Sequence, residues 1–146
     1  MQPEIASFIE SKNIAVVGVS RNKRKFGNAI YDTLKERGYN VFPVHPEGVF
    51  YNEMKCFRSL EEVPPDVKAA VIATKPKNAE AAVDAAIKYG FEQLWFQQGS
   101  DFSKAAAKAR EAGINVVTGK CILLYAAPVT GFHAFHRFLA RLIGKW

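Results

Sequence analysis

The residues best suited to bind an anion lie just after the first apolar run of the sequence. Four cations, Arg21, Lys23, Arg24 and Lys25, fall close together with no acidic residue among them. They follow Gly18, which permits a tight turn, and precede a helical pattern whose N-terminus would carry partial positive charge. As a loop beside that helix start, the segment predicts a phosphate site; as a helix face, it would be a solvated surface.

The glycine pattern of this segment is incomplete. The dinucleotide fingerprint G-x-G-x-x-G is not met, because Ser20 stands where the second glycine would be. The loop before Gly27 and Asn28 is also longer and more basic than the fingerprint requires. An ordinary strand-to-helix turn therefore stays open beside a phosphate-binding turn.

A histidine follows the second apolar run, where NAD-binding sheets usually carry an acid. The acid binds the two ribose hydroxyls, whereas this chain has His45 followed by Pro46 after Val44. An imidazole suits a phosphorylated ribose better than free hydroxyls. The position argues against NAD and allows a phosphorylated ribose, with an ordinary loop histidine as the alternative.

Three later apolar runs are followed by further polar groups. Lys75 and Pro76 follow the third run, Gln97 and Gln98 the fourth, and Cys121 comes shortly after the last. The glutamine amides can bind a ligand but cannot transfer protons. Cys121 either faces the ligand or fills a small apolar space.

The secondary structure must bring these groups to one edge of a sheet. Strand and helix patterns alternate along the chain, which predicts an α/β fold: a Rossmann-like, doubly wound, mostly parallel sheet with helices on both faces. Ligands of such sheets bind at the carboxyl ends of the strands, where the strand order reverses. The predicted strands are Ile14–Val19, Val41–Val44, Val67–Ala73, Leu94–Phe96 and Ile114–Val117, with a short strand within Tyr51–Phe57.

The helices are predicted from apolar stripes, caps and glycine stops. The first carries Ile30 and Leu34 on one stripe. The others are a short helix from a capping box at Ser59–Glu62, a helix capped by Asn78 that turns Val83 and Ile87 inward, and a helix capped by Asp101 that ends at Gly113.

Length and composition place limits on the class of protein. The chain has 146 residues, 49% of them apolar and 23% charged, which predicts a single globular domain over 1–146. The net charge of +6 favours an anionic ligand. No apolar run is long enough to cross a bilayer, and the N-terminus lacks a secretion-signal pattern, so a cytoplasmic location is expected. Two cysteines are too few for a metal site or disulfide framework.

The segment 125–146 is predicted to be a C-terminal helical extension. Its aromatic and leucine residues at helical spacing favour docking on the domain or on a second copy, which would make a homo-oligomer. His133 and His136 share a helix face but have no acidic neighbour, so no metal is expected there. No nucleic-acid recognition motif accompanies the basic residues, and no nucleic-acid or membrane partner is expected.

Several of these strand ends, taken together with the strands before them, resemble a known protein family. Ile14–Arg21 and Val41–Gly48, with Lys75-Pro76, Trp95–Gln97 and Cys121, are similar to the small CoA-binding domain proteins. These proteins resemble the N-terminal CoA-binding domain of the succinyl-CoA synthetase α subunit. Relatives often carry asparagine where this chain has His45.

The resemblance implies a Rossmann-like fold that binds coenzyme A, or an acyl-CoA, at the carboxyl edge of the sheet. It places four groups of residues along the ligand. Gly18, Ser20, Arg21, Lys25 and Asn28 would lie along the diphosphate and the 3′-phosphate; Val44, His45 and Pro46 would flank the adenosine end; Lys75 and Pro76 would edge the nucleotide site; Gln97, Gln98 and Cys121 would lie toward the pantetheine arm.

The expected role is a non-catalytic binding, sensing or carrier module. Catalysis requires a positioned acid, base or nucleophile, and the candidates His45, Cys121 and His133 have no evident orienting partner. Two enzyme readings stay open: an NADP-dependent oxidoreductase, since NADP also carries a phosphorylated ribose, and a CoA-transfer enzyme that requires a partner subunit.

Overall fold

The computed structural model describes residues 2–20 and 26–128, and this part of the chain alternates helices and strands. Its elements are α1 (Pro3–Ile9), β1 (Asn13–Val17), α2 (Phe26–Glu36), β2 (Asn40–Val44), β3 (Phe50–Tyr51), β4 (Met54–Lys55), β5 (Ala69–Ile72), α3 (Pro76–Lys88), β6 (Gln93–Gln97), α4 (Ser103–Glu111), β7 (Asn115–Lys120) and a 3₁₀ turn (Ile122–Leu124).

Five parallel strands form the main sheet in the order β2-β1-β5-β6-β7. In register, Ile14 of β1 lies between Val41 of β2 and Ala69 of β5. The predicted parallel, Rossmann-like sheet is confirmed. From β1 the chain moves outward to β2 and later returns to β5 on the other side of β1. The strand order therefore reverses between β1 and β5, where such sheets form their ligand crevice.

Alternate residues of the central strands supply a core on each face of the sheet, as the two-residue strand period requires. On one face, Leu94 and Phe96 of β6 pack with the buried side of α3 and α4. On the other, Trp95 packs with Phe8 of α1 and with Ile30 of α2. Helices therefore cover both faces, which is why the strands read as continuous apolar runs.

Three local predictions are wrong. Ser59–Glu62 forms turns rather than a helix: Ser59 Oγ accepts the N–H of Glu61, and the two prolines that follow prevent extension. Helix α3 begins at Pro76 without a side-chain cap, so Asn78 lies inside its first turn. Ile87 is 39% exposed, whereas Val83 is buried as predicted.

The peripheral elements agree only in part with expectation. The short strand predicted within Tyr51–Phe57 is present as β4, which pairs antiparallel with β3. Asp101 accepts the N–H of Ser103 but lies one residue before the cap of α4, which is Phe102. Helix α1 was not predicted. It lies against β6 and β7, where Phe8 meets Trp95 edge-on at 5.3 Å between ring centroids.

The described start of the predicted C-terminal extension, residues 125–128, is not helical. Hydrogen bonds join this segment and the preceding 3₁₀ turn to the residues that follow α2. Arg37 donates to the backbone oxygens of Leu123 and Ala126, each at 2.8 Å. The hydroxyl of Tyr39 donates to the backbone oxygen of Ala127 at 2.9 Å. The rest of the predicted helix, with His133 and His136, lies outside the described residues. Within the described part of the chain, none of the helices has the length and apolar character needed to cross a membrane.

Candidate functional site

A cleft of 680 Å³ opens at the carboxyl edge of the sheet, over the ends of β1 and β5. Its walls come from four segments that are distant in sequence. They are Val17–Ser20 at the end of β1, Val44–Glu47 at the end of β2, Arg58–Leu60 in the loop before β5, and a set from the β5–α3 turn and α3 comprising Ala73, Thr74, Lys75, Lys77, Asn78, Ala81, Ala82 and Ala85. The cleft thus lies at the reversal of strand order.

Two glycines bring the backbone together at the base of this cleft. Gly18 has a φ of +120°, and a Cβ built there would lie 2.6 Å from the backbone oxygen of Ala73. A Cβ on Gly27, in the first turn of α2, would lie 2.4 Å from the backbone oxygen of Gly18. The ends of β1 and β5 and the start of α2 therefore touch backbone to backbone. The start of α2, which carries partial positive charge as a helix N-terminus, therefore lies against Gly18, a residue of the cleft lining.

Gly27 was not among the predicted site residues. The available signal was its position at the start of a helix after a glycine turn, which is the place of the closely packed third glycine in nucleotide-binding turns. The stretch between Ser20 and Phe26 is longer than that pattern requires, so the spacing does not match it. Arg21 and Lys25, predicted to lie along the phosphates, belong to this stretch and are outside the described residues.

Asn28 fastens the loop that follows β1. Its side chain is fully buried; Oδ1 accepts the N–H of Ser20 at 2.9 Å, and Nδ2 donates to the backbone oxygen of Ser20 at 2.6 Å. The amide group is committed to the backbone of Ser20, which itself lines the cleft. Asn28, predicted to lie along the phosphates, therefore positions the residue that does line the cleft.

Replacing Asn28 by alanine should lower the free energy of unfolding by about 2–3 kcal/mol, because a buried side chain loses two hydrogen bonds to the backbone. Urea denaturation of the wild type and variant measures the difference. Asn40→Ala is the matched control, because the Asn40 side chain is exposed and its loss should change stability by about 0.5 kcal/mol or less. Equal losses in the two variants would contradict the role of Asn28.

The turn after β2 presents His45 to the cleft. Its backbone N–H donates to Phe57 at 2.8 Å, and its Nδ1 accepts the N–H of Glu47 at 3.0 Å. In the neutral imidazole the proton then sits on Nε2, which leaves that nitrogen as a donor. Val44 and Pro46 line the same cleft. Their place near the nucleoside end of a ligand stays a prediction.

Cations outnumber acids among the described lining residues. Lys75 precedes α3, Lys77 lies in its first turn, and Arg58 comes from the loop before β5, whereas Glu47 is the carboxylate. All four side chains belong to exposed residues. Pro76 is the first residue of α3, beside the described lining residues. Sequence reasoning missed Arg58, because no periodic pattern connects its loop to the strand ends.

Gln97, Gln98 and Cys121 lie beyond the described lining of the cleft, at the ends of β6 and β7. Gln97 is buried; its Oε1 accepts the N–H of Ile122 at 3.1 Å, while its Nε2 has no partner among the described residues. Gln98 is exposed, and Cys121 is half-buried. Their predicted place beside a pantetheine arm stays a prediction.

Among the described residues, the buried cysteine is poorly suited to thiol chemistry, and no cluster of side chains is suited to bind a metal ion. Cys56 is buried, and burial raises the pKa of its thiol, which favours the unreactive protonated form. No group of three or more His, Cys, Asp or Glu side chains in residues 2–20 and 26–128 is arranged to hold a metal ion. The described cleft is therefore equipped with hydrogen-bond donors and cations that suit a phosphorylated ligand.

Comparisons with known proteins agree with this chemistry. A protein-family model described as the CoA binding domain matches residues 12–127. Among curated proteins, the ADP-forming acetate–CoA ligase II of Archaeoglobus fulgidus is 34% identical over 77 residues. That match covers 51% of this chain but 11% of the ligase. The chain thus spans a small part of the length of this relative.

Small proteins of known structure match over most of their length. A conserved hypothetical protein from Pyrococcus furiosus is 35% identical with a TM-score of 0.72, and the match covers 77% of this chain and 97% of that one. A hypothetical protein from Pyrococcus horikoshii OT3 is 30% identical with a TM-score of 0.77, over 97% of this chain and 91% of that one.

Proposed function

This chain belongs to the CoA-binding domain family, and from that premise we propose that coenzyme A or an acyl-CoA binds in the cleft over β1 and β5. The observation that carries the proposal is the contact of Gly18 with Ala73 and Gly27 at the strand-order reversal. Gly18 and Ala73 line the cleft, and the start of α2 lies directly against Gly18. Backbone N–H groups and the dipole of a helix N-terminus favour a diphosphate, which supports the proposal.

The strand order supports a direction for the ligand along the edge. The end of β2 carries Val44, His45 and Pro46 for the adenosine, and the end of β1 carries Gly18 and Ser20 for the diphosphate. The end of β5 follows with Lys75 and Pro76, and β6 and β7 follow with Gln97, Gln98 and Cys121 for the pantetheine arm. Four inter-strand spacings give this edge a width of about 19 Å. An extended ligand can therefore meet all five strand ends in turn.

A non-catalytic role as a binding, sensing or carrier module is part of the proposal. Among the described lining residues, His45 engages a backbone N–H through its Nδ1, and no carboxylate orients its ring. A general base normally needs such an orienting partner. We propose one domain over 1–146, extended by a helix within 125–146 that supports a homo-oligomer, with no nucleic-acid or membrane partner and a cytoplasmic location.

A second candidate is a CoA-transfer step completed by a partner subunit. The similarity to part of an ADP-forming acetate–CoA ligase favours it. A CoA-binding segment within a ligase would hold the CoA while other segments supply the reacting groups. In that case this chain would bind CoA without a partner, but it would turn over an acyl-CoA only when the partner subunit is present. The NADP-dependent alternative requires NADP to bind in place of CoA.

Thermal unfolding with a panel of ligands tests the proposal. CoA at about a hundred times its Kd should stabilise the fold by about 2.7 kcal/mol, which raises the Tm by about 5–10 °C for a chain of this size. Dephospho-CoA should give a smaller shift, and NAD none. Stabilisation by NADP without stabilisation by CoA would refute the proposal in favour of the oxidoreductase.

A further inference from the structure

Arg58 reaches the cleft because its loop pairs with the outer side of β2. The N–H of Phe57 donates to Pro43, and the N–H of His45 donates to the oxygen of Phe57, both at 2.8 Å. Phe57 thereby forms a parallel bridge with Val44, as a short extension of the sheet. Arg58 follows at once, so it emerges at the same edge as His45 and lines the cleft with it.

The side chain of Arg58 passes close to a glycine. Gly48 has a φ of +64°, and a Cβ built on it would lie 3.2 Å from Nε and 3.3 Å from Cγ of Arg58. The arginine stem therefore lies across the bare Cα of Gly48. Its backbone N–H is anchored as well, since it donates to Oε2 of Glu62 at 2.9 Å.

The guanidinium has no salt bridge to a carboxylate among residues 2–20 and 26–128, where the ion pairs are Lys104–Glu80 and Lys108–Asp84. Glu47, the acid of the described lining, is exposed, so solvent and salt screen its attraction for Arg58. The guanidinium of Arg58 thus has no carboxylate within salt-bridge distance among the described residues, and Arg58 and His45 line the same cleft. The fork of donors in a guanidinium matches phosphate oxygens through paired hydrogen bonds.

The end of the second strand is where doubly wound sheets contact the ribose, and an arginine near it accommodates a phosphate on that ribose. We propose that Arg58, with Nε2 of His45, forms the subsite for a phosphate monoester on the ligand's ribose. This inference rests on the proposed function. It assigns the 3′-phosphate of CoA to the β2 side of the cleft and leaves the diphosphate at the glycine contact.

The test compares ligands that differ by one phosphate. In calorimetric titrations, Arg58→Gln should weaken CoA binding by about tenfold or more and dephospho-CoA binding by less than about threefold. Arg110→Gln is the control, because Arg110 is exposed on α4 and outside the described lining. It should bind both ligands as the wild type does. Arg58→Lys keeps the charge but loses the paired geometry, so it should lose part of the discrimination.

The outcomes separate this inference from the proposed function. Equal losses of CoA and dephospho-CoA affinity in Arg58→Gln would overturn the subsite while CoA binding stands. A wild type that binds NADP more tightly than NAD, with this preference lost in Arg58→Gln and with no affinity for CoA, would keep the subsite and overturn the proposed CoA function. If Arg58→Gln does not fold, equal losses of the two CoA ligands in Arg58→Lys would overturn the subsite.

Discussion

Gly18→Ala should destabilise the fold far more than alanine at another glycine with positive φ. The new Cβ would lie 2.6 Å from the backbone oxygen of Ala73, an atom that moves only if β5 and its turn move. Overpacking of this kind costs about 1–3 kcal/mol, and the unfavourable φ adds about 1–3 kcal/mol. We expect a total loss of about 3–5 kcal/mol in the free energy of unfolding.

Gly99→Ala isolates the backbone contribution in that comparison. Gly99 has a φ of +104°, close to that of Gly18, but a Cβ there would meet nothing within 4 Å. Chemical denaturation should give Gly99→Ala a loss of about 1–2 kcal/mol with an unchanged m-value. If the two variants lose the same stability within about 0.5 kcal/mol, the close approach of β1 to β5 is not a tight contact in solution.

Filling the cleft should abolish high-affinity binding without unfolding the protein. Ala82 lies on the side of α3 that lines the cleft and is half-buried. Phenylalanine at this position would occupy space that a ligand needs. We expect Ala82→Phe to weaken CoA binding by about a hundredfold, equivalent to about 2.8 kcal/mol. Equilibrium dialysis with CoA measures the change.

The control for this change is Ala107→Phe, because Ala107 is exposed on α4 and is not a described lining residue. Both helices should tolerate an aromatic residue with a modest change in stability, about 1 kcal/mol or less. Ala107→Phe should therefore bind CoA like the wild type. An Ala82→Phe variant that binds CoA with unchanged affinity would place the ligand elsewhere on the molecule.

The strands were predictable because they are buried on both faces of a parallel sheet. Burial on both faces turns each of β1, β5 and β6 into a short apolar run that ends at a glycine or a polar group, and such a run is visible locally. The region between His45 and Pro65 was not predictable in detail. Its shape depends on the bridge between Val44 and Phe57 and on the two prolines, rather than on any period in the sequence.

Helix boundaries failed where two starting signals competed. Asn78 is a good cap by residue type, but Pro76 two residues earlier is a good first helical residue, and its fixed φ decides the start of α3. Ile87 continues the apolar stripe of α3 in the sequence, yet it is exposed, because the buried face of the helix runs through Ala79, Val83 and Ala86. Tertiary contacts therefore determine which residues of an apolar stripe are buried, and the stripe alone does not.

The site was predictable only as a set of strand ends. Parallel strands all end at one edge, so Gly18, His45 and Lys75 could be grouped from the sequence. The lateral order of the strands comes from tertiary structure, and it separates Gln97 and Cys121 from the cleft while it brings Arg58 into it. Gly27 was missed for a related reason, since its importance comes from an approach to Gly18 that only the packed structure shows.

The most direct measurement is the change in backbone amide NMR signals when unlabelled CoA is added to the ¹⁵N-labelled protein. Signals of Gly18, Ser20, His45 and Lys75 should shift together and saturate with a single Kd, while Gly113, at the opposite edge of the sheet, should stay in place. Saturable shifts confined to residues outside the ends of β1, β2 and β5, or no shifts at all, would contradict the assignment of this cleft to CoA.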